Sequence, residues 1–181
     1  MDQIQQPQKK TNVLLQYGLI SALASLLVFV LMYIGGTDAM GSPFAFATWL
    51  VPIVIAVLAC RKAKSENDGF LEFKDALKIS FGVLVASTIA TSIFSYLLYN
   101  FIDPPFGERM VQLTMEKTTQ FLEKMGSPQD AIDKAMKEVS FDSLFSVKKV
   151  FQGFMFGCIF NFIIALIIAA IMKKKKPEFA V

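Results

Sequence analysis

Histidine is absent from the 181 residues. That removes Ser-His-Asp and Cys-His nucleophile systems and every histidine-ligated metal site. Cysteine is nearly absent too. Cys60 and Cys158 are the two present, both inside apolar runs at different expected depths, so no disulfide is expected between them. Each reads as a buried, inert thiol. There is no Cys-x-x-Cys, no phosphate-binding glycine loop and no EF-hand loop. Charge is missing from the interior of four long apolar stretches. An intramembrane Asp, Glu, Lys or Arg would mark a proton relay or ion path, so its absence counts against a proton-coupled transporter or pump acting alone and leaves open an accessory subunit. Outside those stretches no basic stripe with interleaved aromatics points to nucleic acid. Catalytic, cofactor-binding and metal-ligating residues are therefore all expected to be none.

What is present is apolar. Hydrophobic residues make up 54 % of the chain, and the mean hydropathy is +0.51. The clearest block is 150–172, which holds no charge and is bracketed by Lys148, Lys149 and by Lys173 to Lys176. At about 1.5 Å of rise per residue, such a helix spans a hydrocarbon core roughly 30 Å thick.

Further spans are expected at 13–34, 44–60 and 79–102. The first carries Tyr17 and Tyr33 near its ends, where an aromatic belt places them. A cleaved signal peptide competes for this segment, but its apolar core runs to about 7–15 residues, and this one is longer. Pro52 lies inside the second span, where a kink is expected. Such a break marks a substrate site in some membrane proteins and is absorbed by neighbouring helices in others. Between spans two and three, Asn67-Asp68-Gly69 reads as a turn. Phe70, Phe73, Ala76 and Leu77 follow at helical spacing, as an amphipathic lead-in to span three.

The one large polar region is 103–149. Val111, Met115, Thr118, Leu122 and Met125 recur at helical steps. Gly126 is a natural helix stop, and Ser127-Pro128-Gln129-Asp130 reads as a new start with Ser127 as N-cap. Ile132, Ala135, Met136 and Val139 carry the apolar face onward. The region reads as a two-helix hairpin. Its methionine-rich face, Met110, Met115, Leu122, Met125 and Met136, is the candidate partner surface, since methionine suits adaptable contacts. The alternative is that this face packs on itself and on the membrane surface. The acids Glu116, Glu123, Asp130, Asp133 and Glu138 alternate with lysines, as on a solvated helix face.

Basic residues orient the chain. The tail 1–12, the loop 61–78 and the tail 173–181 hold two, five and four of them, and the loop 35–43 holds none. The hairpin holds seven, offset by eight acids over a longer segment. Both termini are expected inside and the hairpin outside. The tail 1–12 is expected to be disordered.

In the fourth span Gly153, Gly157, Asn161, Ala165 and Ala169 repeat every four residues. Small residues at that step let another helix approach closely, and a mid-membrane Asn supplies an interhelical hydrogen bond worth about 1 kcal/mol. This is the expected helix-packing face, with Gly82, Ala86 and Ala90 of span three as a matching surface. Asn161 is also a candidate substrate contact. Ser146 and Lys149 form a Ser-x-x-Lys pair, but lysines at the mouth of a span are expected for anchoring.

Three sets of residues resemble one known family. They are Leu15, Tyr17 and Gly18; the stretch Asp68-Gly69-Phe70-Leu71-Glu72-Phe73-Lys74-Asp75-Ala76-Leu77; and Tyr99-Asn100-Phe101-Ile102-Asp103-Pro104. Together with the Met/Glu-rich hairpin and the lysine-ended last span, they are similar to the small bacterial membrane proteins grouped as domain of unknown function 4199. The resemblance covers nearly the whole chain. It implies four spans with an intervening helical hairpin, and no activity or catalytic residues. The expectation is thus an all-α integral membrane protein of the bacterial inner membrane. Four transmembrane helices pack as a bundle, with an extracytoplasmic two-helix hairpin between spans three and four. Its expected partners are the lipid bilayer and a second copy or another membrane protein. The expected role is non-enzymatic, as an interaction or scaffold protein, with an accessory part in small-molecule transport as the alternative.

Overall fold

The computed structural model describes residues 12–175, and the expectations for the two tails lie largely outside them. Four helices are long and apolar enough to cross a membrane. They are α1 (Val13–Ile34), α3 (Ala47–Ser65), α4 (Phe73–Leu97) and α8 (Val147–Met172), with four further α-helices between them. The described residues form an all-helical membrane protein with four candidate spans.

Its packing is that of a protein whose solvent is lipid. Leu15, Leu19, Leu23, Leu27 and Leu31 form one stripe along α1, each more than half exposed. The side of α1 turned inward is small: Gly18, Ser21 and Ser25 are buried. Lipid tails are as apolar as leucine, so close backbone approach and hydrogen bonds drive association here. α4 is the hub, meeting α1, α3 and α8. A Cβ built on Gly18 would lie 3.5 Å from Ala86 Cβ, which measures how near α1 and α4 come.

The main core sits towards the end of the bundle that carries Lys62, Lys64, Lys173 and Lys174, hereafter the lysine end. Ala56, Ala59, Cys60, Ala76, Ala165 and Ala169 are fully buried there. The Ser80 hydroxyl donates to the Ala76 carbonyl at 2.7 Å and reaches the Ala165 carbonyl of α8 at 3.4 Å. The Cys60 thiol is buried and faces the Ala76 carbonyl at 3.6 Å, while Cys158 is a separate free thiol. The lysine end is closed by backbone. Leu71 and Lys174 exchange two hydrogen bonds of 2.9 and 2.8 Å, and Lys64 Nζ donates to the Met172 carbonyl at 3.2 Å. Asn67-Asp68-Gly69 is the expected turn, with Gly69 at φ 81°.

At the opposite end α4 widens into a π-helical turn, Leu98–Ile102, and α5 (Pro104–Lys124) begins. Asp103 is its N-cap, accepting from Phe106 N at 3.0 Å. Gly126 stops α5 at φ 73°. α6 (Gln129–Glu138) and a short α7 (Phe141–Phe145) follow. The hairpin is thus two helices and an extra turn, α7 being closed by a reciprocal Ser140–Ser143 capping box.

Several boundaries differ from expectation for identifiable reasons. Ser127 is not the N-cap of α6. Its N–H donates to the Leu122 carbonyl at 3.0 Å and closes α5, and Pro128 is the cap residue instead. The segment 35–43 contains a short α2 (Gly36–Gly41), and a 3-10 turn at Pro43–Phe46 leads into α3. α3 runs through Pro52 and past Cys60 to Ser65, carrying its basic residues out on a last turn where they complement the helix dipole. α8 begins at Val147, three residues ahead of the apolar run, after Ser146.

Candidate functional site

The four long helices close at the lysine end, and a groove of about 540 Å³ lies in the half of the bundle nearer the hairpin. Pro52 and Asn161, singled out separately in the sequence, both line it. So do Gly153 and Gly157, whereas Ala165 and Ala169 belong to the sealed core. The four-residue repeat of α8 therefore splits. Its lower part, Asn161, Ala165 and Ala169, is buried on α4. A Cβ on Gly157 would meet Thr88 at 3.5 Å, and one on Gly153 would meet nothing within 4 Å. The partner helix for the packed half is in the same chain. Asn161 Nδ2 donates to Thr88 Oγ1 at 2.7 Å.

One wall of the groove is a row of hydroxyls on α4. Ser87 and Thr88 donate to the Leu84 carbonyl at 2.9 and 3.0 Å, Thr91 to the Ser87 carbonyl at 2.9 Å, and Ser95 to the Ser92 carbonyl at 3.0 Å. A hydroxyl has one proton. Each of these is committed to its own helix, so the oxygens remain as acceptors. Thr48 on α3 behaves likewise, donating to the Ala45 carbonyl at 2.6 Å. Pro52 has no N–H to offer the carbonyl one turn earlier, which is that of Thr48. Ser25 of α1 is different. It lines the groove, is 3 % exposed, and its hydroxyl has no hydrogen-bond partner in the protein. Trp49 and Phe160 form an edge-to-face pair with centroids 6.1 Å apart on the apolar side. No charged side chain lines the groove among the described residues.

The match to family profiles settles kinship. The profile described as "Protein of unknown function (DUF4199)" matches residues 16–174. The chain belongs to the DUF4199 family. No match is found among curated proteins or solved structures. For this DUF4199 protein the activity therefore has to be argued from its own geometry.

The sequence-derived partner surface lies on the hairpin and is largely occupied. Met110 packs on the cluster of Leu98, Tyr99 and Phe106. The Thr119 hydroxyl donates to Met136 Sδ at 3.2 Å. Met115 and Leu122 are half-buried. Met125 is exposed at 67 %, beside Phe121 at 61 %. Ser146 and Lys149 meet through backbone, the Lys149 N–H donating to the Ser146 carbonyl at 2.9 Å. Among the described residues no group of three His, Cys, Asp or Glu side chains is placed to hold a metal ion.

Two features had no local signature. Ser25 was legible only as one of the small residues Gly18, Ser21 and Ser25 on a face of α1. The junction of hairpin and bundle joins residues 70 apart, with Tyr33 OH donating to Asp103 Oδ2 at 2.9 Å. Arg109 Nη2 lies 3.8 Å from the same oxygen.

Proposed function

We propose that this DUF4199 protein is a non-enzymatic membrane protein that binds a small molecule within the membrane, as an accessory or minor component of its movement. One observation carries the reading: Pro52, Asn161 and the unpartnered Ser25 hydroxyl line a single uncharged groove. Its volume of about 540 Å³ falls in the range of small-molecule sites, roughly 300–1,000 Å³. The interaction or scaffold role is the second reading, favoured by Phe121 and Met125, which stand exposed side by side on the hairpin.

Native mass spectrometry of the protein released from its own membranes separates the two. Gly153→Leu fills the groove from a position with free space. Under the first reading a small-molecule adduct on the wild type is lost in Gly153→Leu and kept in Phe121→Ser/Met125→Ser. An adduct unaffected by Gly153→Leu, or none, defeats that reading. A bound protein lost in the double variant alone supports the second.

We further propose that the protein sits in the bacterial inner membrane with both termini cytoplasmic. Lys62, Lys64, Lys173 and Lys174 share one end of the bundle, and positive charge near span ends is retained inside. In a background lacking Cys60 and Cys158, Ser127→Cys is expected to react with an impermeant thiol reagent on intact spheroplasts. Reaction only after lysis would reverse the orientation.

A further inference from the structure

The polar lining of the groove restricts what it can hold. Every lining side chain is uncharged, and an ionised head placed there would lose its hydration without a counter-charge. Ser87, Thr88, Thr91 and Ser95 on α4, and Thr48, have spent their protons on helix carbonyls and face the groove as acceptors, whereas the Ser92 hydroxyl keeps its proton. Asn161 uses one amide N–H on Thr88, which leaves its carbonyl oxygen as a further acceptor and its second N–H as a donor. Donors are present too, in Ser25, Ser92, Trp49 Nε1 and the second Asn161 N–H, but the acceptor oxygens outnumber them. A donor-bearing head would find several acceptors. The Ser25 hydroxyl, buried and without a protein partner, can accept from such a head or donate to its oxygen. The apolar part of the lining, with Phe29, Phe156, Phe160 and Ile164, suits a hydrocarbon body.

Resting on the binding reading above, we propose that the groove takes an uncharged amphipath. Its head carries a hydroxyl or amide N–H donor set against Ser25, Thr88 and Asn161, and its body is a hydrocarbon chain. The same lining disfavours carboxylates, phosphates and ammonium groups.

Trp49 is the single tryptophan of the chain and lines this groove, so its fluorescence reports occupancy. The probe is ω-bromododecanol, compared with its methyl ether, in nanodiscs of palmitoyl-oleoyl phosphatidylcholine containing the full chain. Bromine quenches tryptophan at short range, and chains dissolved in the bilayer give a component linear in concentration. The expected result is an additional saturable component with the alcohol, about fivefold tighter than with the ether, the value of one hydrogen bond. Gly153→Leu is expected to abolish the saturable component. Ser25→Ala is expected to weaken the alcohol more than the ether and so to bring the two together. Because the Ser25 hydroxyl has no hydrogen-bond partner in the protein, its removal breaks no hydrogen bond of the fold. Saturable quenching equal for alcohol and ether overturns the donor-head assignment and leaves the groove as a binding site. Linear quenching alone with both probes overturns the assignment and the binding reading together.

Discussion

Ala165→Leu is expected to lower the thermal midpoint of the purified protein by on the order of 10 °C. Ala165 is fully buried where α8 crosses α4, and the Ser80 hydroxyl reaches its carbonyl at 3.4 Å. Ala56, Cys60, Ala76 and Ala169, also fully buried, belong to the same core. A leucine adds three carbons where side chains have been kept to one. Overpacking of this kind costs about 1–3 kcal/mol, and the upper value applies where backbones cross closely. The added carbons bring no compensating hydrophobic gain, because lipid is as apolar as the core. At roughly 2–4 °C per kcal/mol for a chain of this size, the drop follows. Gly153→Leu provides the comparison. It makes a larger change on the same four-residue stripe, three repeats earlier, where a Cβ meets nothing within 4 Å. Its midpoint is expected to stay within about 2 °C of wild type, as for other substitutions at unpacked positions. Similar losses in both variants would mean that the stripe is packed along its whole length.

That contrast shows what the sequence could and could not carry. The stripe Gly153, Gly157, Asn161, Ala165, Ala169 was legible because helical periodicity is a local property. Which half of it is packed depends on where helices close and where they part, and glycine and alanine look alike at that level. The four spans were legible because a run of uncharged residues long enough to cross a bilayer has few other outcomes. Their ends were less so. Ser127 has the composition of an N-cap, but the first carbonyl to accept amides of α6 is that of Pro128. The methionine face was visible as a pattern. Its covering stood there only as the alternative, since the contacts that make it, Met110 with Tyr99 and Phe106 and Met136 with Thr119, are tertiary. Pro52 and Asn161 each stood out as irregularities of one span. Their meeting in one groove is a tertiary fact, and Ser25, which lines the same groove without a hydrogen-bond partner, has no irregularity to betray it.

Asp103→Ala is the second substitution with a large expected effect, and it acts at the other end of the molecule. α5 starts with Pro104 and Pro105, which have no N–H to leave unsatisfied. Phe106 N is the first amide of the helix, and Asp103 receives it on both its carboxylate and its carbonyl at 3.0 Å. The other carboxylate oxygen accepts from Tyr33 OH at 2.9 Å, so one side chain caps α5 and ties it to the end of α1. Alanine removes both contacts. The lost cap alone costs about 1 kcal/mol, and the lost tie to α1 adds to it. The contact with Arg109, at 3.8 Å and half-exposed, adds little, as surface ion pairs generally do. Hydrogen exchange resolves where the loss falls. Amides in the first turns of α5 are expected to exchange at least about fivefold faster in Asp103→Ala, the equivalent of the cap, while amides around Ser80 and Ala165 stay protected. Asp103→Asn keeps a capping oxygen and is expected to exchange more slowly than Asp103→Ala. Tyr33→Phe leaves the cap intact and removes only the tie to α1. If Tyr33→Phe matches Asp103→Ala, the tie dominates. If Asp103→Ala loosens the lysine end as well, the hairpin junction and the core unfold as one unit, and the hairpin is then part of what holds the groove in shape.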